Sequence, residues 1–181
     1  MNSKIVIVAV AIVAICVIAA GAFILTGSEP MSQFSRICKA MEEMDPDTYV
    51  SIVSEKSTDI IRVLSNITED GFSGLTIFID FVLCAVAADG KLSEDEFYLI
   101  KPLLEKAVGM ELTYEDGKDI FYASGLDKPK DYKKTVKMMV DLLELVSPKL
   151  KEDIVLVCMM VCAVDGKISY KERKWINNLI D

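Results

Sequence analysis

Two segments of the chain carry acidic side chains at the same spacing, and carboxylates at matched positions are candidates for cation binding or acid–base chemistry. The first segment is FVLCAVAADGKLSEDEFYLIKPLL, and the second, 76 residues further on, is LVCMMVCAVDGKISYKERKWINNLI. The acidic residues that recur are Asp89, Glu96, Asp165 and Glu172. A repeat of this kind predicts two copies of one helix-loop-helix unit.

The loop of each unit has a structural explanation that needs no ligand. Gly90 and Gly166 follow small apolar runs, where glycine ends a helix in the left-handed conformation that other residues adopt at a cost. Ser93 and Ser169 each precede a glutamate by three residues. That is the spacing of a capping box, which stabilises the next helix by about 1 kcal/mol. These residues therefore predict a tight helix-to-helix corner, used twice.

The two aspartates are not explained by the corner alone. We predict Asp89 and Asp165 in the last turn of a helix, where a negative charge is unfavourable. Either each carboxylate accepts hydrogen bonds from N–H groups of the following loop, or it faces a cation. Each loop alone makes a poor calcium site, because Ala85 and Ala87 occupy the positions that lead an EF-hand loop. If the units pack back to back, the spacing permits all four carboxylates to converge on one Ca²⁺, Mg²⁺ or Mn²⁺ ion, without requiring it.

The paired segments ADGKLSEDE and AVDGKISYKE, each after a helix of small residues, resemble the TerB-like family. This family includes the tellurite-resistance protein TerB and the domain after the membrane helix in DjlA-type co-chaperones. The resemblance covers residues 70–181 and implies an all-helical, non-catalytic domain, tied to stress responses at the membrane, with an acidic surface that can bind metal. The family's acidic positions correspond to Asp89, Glu96, Asp165 and Glu172. No J-domain is found in the sequence, so the chaperone stimulation that J-domains provide is not implied.

Composition narrows the class of function. The net charge is −8 at pH 7 and every acidic residue lies beyond residue 27, which argues against nucleic acid as a partner. The absence of histidine removes the commonest general base and the commonest zinc ligand. Five cysteines do not predict a disulfide framework. We expect Cys158 and Cys162, one helical turn apart, to be core residues rather than a thiolate metal site.

The N-terminus predicts a membrane anchor. Residues 5–25 form an apolar run of 21 residues without a charge, long enough to span a hydrocarbon core of about 30 Å. A cleaved signal peptide is the alternative, but its apolar region is usually shorter, about 7 to 15 residues. We predict a single-pass anchor at 1–27, a juxtamembrane helical segment at 28–69 and the TerB-like domain at 70–181. The positive charges on the two sides of the anchor are balanced, so they do not decide its orientation in the membrane. Cysteines without a disulfide framework and the family resemblance favour a cytoplasmic position for the domain.

Hydrophobic spacing and capping signals predict an all-α bundle of about seven helices after the anchor. The predicted helices cover 31–44, 46–67, 75–88, 94–108, a short one from Thr113 to before Gly125, 129–146, one from Ser147 through the second motif helix, and 170–180. Gly71 to Gly74 are expected to break the chain between the second and third of these helices. No stretch predicts a strand. We expect Trp175 in the core rather than on a binding surface.

Five lysines crowd ten residues of an otherwise acidic domain: Lys128, Lys130, Lys133, Lys134 and Lys137. These lysines form either a solvent-exposed helix face or a surface that contacts anionic lipid headgroups. The lipid contact requires that the domain lies on the cytoplasmic side of the membrane.

Three functions compete at this point. The first is a membrane-tethered, non-catalytic interaction module with a protein partner, related to tellurite resistance or to co-chaperones. The second is a divalent-metal-binding or metal-sensing domain that uses the four carboxylates. The third, an enzyme, is the least favoured, because the sequence has no phosphate-binding glycine loop, nucleophile elbow or zincin motif.

Overall fold

The computed structural model of the protein describes residues 37–41, 43–68 and 73–180. The described residues are helical with connecting turns and contain no strand, which confirms the all-α prediction. Seven helices follow the helical residues 37–41: α1 (Pro46–Ile67), α2 (Ser73–Val86), α3 (Glu94–Val108), α4 (Tyr114–Ala123), α5 (Pro129–Leu143), α6 (Pro148–Ala163) and α7 (Tyr170–Ile180).

Local capping decides where most of these helices begin. The Asp45 side chain accepts a hydrogen bond from the Thr48 N–H ahead of α1, and Ser147 caps α6 in the same way. Thr113 and Asp116 form the capping box that opens α4. The predicted starts of these three helices are therefore confirmed. Each cap was predictable because it satisfies backbone N–H groups within one turn of the same helix. Two predicted ends were wrong by a few residues: α2 ends at Val86 rather than 88, and α5 ends at Leu143 rather than 146.

Two helices form the centre of the molecule. In α6 every residue from Ile154 to Ala163 is buried, and α2 is buried from Phe81 onward. Helix α1 packs against both, and the Lys56 ammonium of α1 lies 2.9 Å from the Asp153 carboxylate of α6. The sequence boundary predicted at residue 69 therefore separates two helices that share one core.

Close packing of α1 on α2 depends on Gly74. A Cβ atom at this position would lie 2.4 Å from the Ser65 backbone nitrogen, so no larger residue fits. Gly74 was predicted from the sequence to break the chain between helices, whereas it lies inside the first turn of α2. Its role is the close approach of two helices, which a pattern of neighbouring residues does not reveal.

The remaining sequence predictions have mixed outcomes. Trp175 is 1 % exposed, which confirms its place in the core. None of the described helices has the length and apolar character that a bilayer span needs. The predicted anchor at residues 1–27 lies outside the described residues, as do residues 31–36 and 42 of the predicted helix at 31–44; of that helix, Ile37, Cys38 and Met41 are buried.

Candidate functional site: the paired corners

The first corner is a turn that follows α2. Its chain reverses at Gly90, which has a φ of 94° in the left-handed region and donates its N–H to the Ala87 carbonyl. The Asp89 carboxylate accepts a hydrogen bond from the Lys91 N–H at 3.1 Å. The Lys91 ammonium also lies 3.9 Å from the other carboxylate oxygen.

The second corner repeats this geometry after α6. Gly166 has a φ of 86° and donates its N–H to the Ala163 carbonyl, and the Asp165 carboxylate accepts from the Lys167 N–H at 3.1 Å. Both aspartates lie beyond the helix ends rather than in the last helical turn, which corrects the sequence prediction. Because each accepts an N–H of its own loop, the first of the two explanations offered for the aspartates matches the structure.

Each glutamate of the repeat closes a capping box. The Glu96 carboxylate accepts from the Ser93 N–H and hydroxyl, both at 2.8 Å, and the Glu96 N–H donates to the Ser93 oxygen at 3.2 Å. Glu172 accepts from the Ser169 N–H in the same way, and its own N–H donates to the Ser169 oxygen at 3.3 Å. Both glutamates are 4 % exposed. The predicted capping boxes are therefore present twice, and they hold their carboxylates inside the protein.

Parallel packing of α2 and α6 brings the two corners to the same end of the bundle. The Cys158 sulfur lies 3.8 Å from the Phe81 carbonyl oxygen, and one turn further along both helices the Cys162 sulfur lies 3.8 Å from the Ala85 carbonyl oxygen. Two contacts that advance together by one turn define helices running in the same direction. The helices therefore end side by side, and we call the end that carries both corners the acidic pole.

The carboxylates of the acidic pole influence one another. Burial, with smaller contributions from the charges of Asp89 and Glu172, raises the pKa of Glu96 to about 7 against the lowering effect of the Ser93 hydrogen bonds. Burial also raises the pKa of Glu172, with contributions from Asp89 and Asp165. The repulsion crosses from one corner to the other because the corners are neighbours.

Several contacts that fix the corners were not predicted. The Tyr114 hydroxyl of α4 donates to the Leu92 carbonyl at 2.7 Å, and the Arg173 Nε donates to the Ile168 carbonyl at 3.2 Å. Tyr49 of α1 donates to the Met160 carbonyl of α6. Tyr49 and Tyr114 reach across 111 and 22 residues of sequence, so no spacing signal marks them.

The arrangement does not form a cation cage. Among the residues that the structure describes, no group of three or more Asp, Glu, Cys or His side chains is placed to hold a metal ion. Glu96 and Glu172 each commit a carboxylate oxygen to a capping box, and each aspartate commits one to its loop. The donor set present at the acidic pole therefore does not fit a shared divalent ion as it stands.

The cysteines and the predicted lysines lie elsewhere. Cys38 is buried, and Cys84, Cys158 and Cys162 are buried free thiols, which agrees with a core role for Cys158 and Cys162. The five lysines lie at the start and along the outside of α5, and all are exposed. Lys137 pairs with Asp141 at 2.8 Å. No described carboxylate lies within ion-pair distance of the other four lysines.

Comparison of the chain with models of protein families, with curated proteins and with solved structures finds no match.

Proposed function

We propose that this chain is a non-catalytic helical module, held at a membrane by its N-terminal apolar segment, that binds a partner protein through the acidic pole. One observation supports this most directly: two equivalent corners lie side by side and present the same Asp-Gly-Lys turn twice. Tyr170, beside the second turn, is 82 % exposed. An exposed aromatic ring next to a doubled charged turn is typical of a recognition surface.

The chemistry-bearing side chains support a binding role rather than a catalytic one. The buried glutamates accept hydrogen bonds from backbone N–H groups and serine hydroxyls, which keeps them in place as caps. Burial raises the pKa of Cys84 to about 12, which leaves its thiol protonated and a weak nucleophile at neutral pH. The glutamate carboxylates and the cysteine thiol that could act as acid, base or nucleophile are thus buried inside the fold.

The proposal also includes the membrane anchor, the cytoplasmic location of the module and a role in stress responses. The uncharged run at residues 5–25 supports an uncleaved single-pass anchor. The buried free thiols of Cys84, Cys158 and Cys162 support a reducing, cytoplasmic location for the helical module. The TerB-like resemblance adds a role in membrane stress responses, of the kind associated with tellurite resistance or with DjlA-type co-chaperones.

Site-specific photo-crosslinking tests the binding role. A benzoylphenylalanine in place of Tyr170 in the membrane-bound full chain is expected to crosslink to a discrete protein. The matched control replaces Tyr98 of α3, which is 61 % exposed and lies outside both corners. A crosslink from Tyr170 that Tyr98 does not give supports the proposal. Equal products at both sites, or none at either, would refute it.

Charge reversal in the turns gives a second readout. Lys91→Glu combined with Lys167→Glu alters exposed side chains while the backbone N–H groups still bind the aspartates. The fold is therefore expected to persist, which circular dichroism checks. Loss of the Tyr170 crosslink in a folded double variant assigns the contact to the acidic pole.

Divalent-cation binding, which would require the carboxylates to leave their present hydrogen bonds, is the second candidate. It is supported by the position of the four carboxylates at one end of the bundle, where neighbouring acidic charges help to raise the pKa values of Glu96 and Glu172. Calorimetry of the detergent-solubilised full chain with calcium, magnesium and manganese tests it. Heat that disappears in Asp89→Asn with Asp165→Asn would establish a site at the acidic pole. Absence of heat, or heat that the double variant retains, removes this candidate.

A further inference from the structure

We infer that the outer face of α5 is a docking surface for an anionic lipid bilayer. This face consists of Lys130, Lys134, Lys137 and Met138, which lie on the side of the helix opposite buried Met139 and Leu143, and of Leu145 in the turn that follows the helix. The inference rests on the membrane tether proposed above and adds which side of the module meets the lipid.

The C-terminal half of the outer face is apolar. Met138 is 48 % exposed and Leu145 is 82 % exposed. Together with Leu142 they line a shallow groove whose other walls are Lys134, Lys137 and Asp141. Exposed apolar side chains bordered by lysines are the composition of helices that lie in a membrane interface, with the apolar groups below the headgroups.

The N-terminal half of the outer face is basic. No described carboxylate lies within ion-pair distance of Lys130 or Lys134. Asp141, which lines the groove, is neutralised by Lys137, whose ammonium lies 2.9 and 2.8 Å from its two carboxylate oxygens. Residues 127–146 contain five lysines and four acids, whereas the whole chain carries −8. An anionic surface thus attracts this face and repels most of the module, which selects one orientation.

An anionic bilayer fits the outer face better than the other possible occupants. The apolar segment at residues 5–25 has no charge with which to pair the lysines. A second copy of the chain repels the first, since both are net negative. Only residues 26–36 separate the apolar run at 5–25 from the first described residue, and eleven residues reach at most about 40 Å. The tether therefore keeps the module next to lipid at high effective concentration.

Quenching of tryptophan by brominated lipid tests the inference on the full chain. The Leu145→Trp chain is reconstituted in vesicles of dibrominated phosphatidylcholine, with and without about a third phosphatidylserine. We expect quenching in the phosphatidylserine vesicles to be about twofold or more above that of Tyr98→Trp, a control on α3. The unsubstituted chain, whose Trp175 is buried, supplies the baseline.

Charge variants in the Leu145→Trp chain show whether the lysines drive the docking. Replacing Lys130, Lys133 and Lys134 together by glutamate is expected to abolish the effect of phosphatidylserine, and the matched triple arginine variant is expected to keep it. Raising the salt concentration should weaken quenching in the same way as charge reversal.

Three results would overturn the inference. The first is equal quenching with and without phosphatidylserine, and the second is quenching no stronger than in the Tyr98→Trp control. The third is a blue-shifted Leu145→Trp emission without bromine quenching, which would show that protein, from this chain, a second copy or a partner, covers the face. Vesicle flotation at high salt separates the two proposals: a chain that floats but is not quenched retains its tether and loses only the docking surface.

Discussion

Replacing Glu96 by glutamine removes a charge that the fold buries at the acidic pole. Burial raises the pKa of Glu96 from 4.5 to about 7. The folded protein therefore holds this proton more tightly than the unfolded chain does, and the sign of the pH dependence follows. The stabilisation is complete below pH 4.5 and is lost as the pH rises through 7. A difference of about 2.5 pKa units corresponds to about 3 kcal/mol.

Guanidinium unfolding of the full chain in detergent, followed by circular dichroism between about pH 5 and pH 8, measures this loss. The unsubstituted chain is expected to lose most of that free energy across this range. The Glu96→Gln chain is expected to lose little, and to exceed the unsubstituted chain in stability at the alkaline end. Glutamine also occurs at this position of capping boxes, so its oxygen retains the acceptor for the Ser93 N–H.

Two companion variants decide whether burial is the cause. Glu94→Gln, two residues away and exposed, removes a charge of the same type outside the buried pair and should leave the pH slope intact. Glu172→Gln should reduce the slope, because burial raises the pKa of Glu172 too and its charge raises that of Glu96. A Glu96→Gln chain with the slope of the unsubstituted protein would refute the reasoning.

Four further predictions concern helix packing, the first corner and a buried thiol. Gly74→Ala should cost about 3 kcal/mol in denaturant unfolding, since its Cβ would meet the Ser65 backbone nitrogen; Gly90→Ala, with open space but a φ of 94°, should cost about 1 kcal/mol. Tyr114→Phe should cost about 1 kcal/mol through loss of its hydrogen bond to the first corner, and an unchanged unfolding midpoint would contradict this. The buried Cys158 thiol should react with a disulfide reagent only after unfolding, as mass spectrometry of the labelled site would show.

Helix starts and the duplicated corner were predictable from sequence because the interactions that form them are local. Asp45 caps α1 through an N–H three residues away, and Ser93 with Glu96 closes a box of four residues. Such signals act within one turn of chain, so their residue types and spacing identify them without knowledge of the rest of the molecule.

The residues of the candidate site were predictable from sequence, but their burial and their pKa values were not. The capping-box spacing predicts that Glu96 accepts N–H bonds. Its 4 % exposure, however, depends on the rest of the fold, and the Glu172 charge that helps to raise its pKa belongs to the other corner. The close contact at Gly74 and the Tyr49 bond to Met160 are likewise made by residues far apart in sequence. Local patterns contain no information about which helices meet.

Duplication of the motif explains why negative charges that repel one another lie together at the acidic pole. When two copies of a helix-loop-helix unit pack with their first helices parallel, equivalent loops lie at the same end, so every acid of the motif is doubled there. The two kinds of acid respond differently: Asp165 remains exposed and accepts a loop N–H, while Glu96 is buried and its pKa rises. Positive charge brought to the pole by a partner favours ionised glutamates, and by linkage their ionisation favours that partner. The helix packing that buries the two glutamates thus couples their protonation to the binding of a partner at the acidic pole.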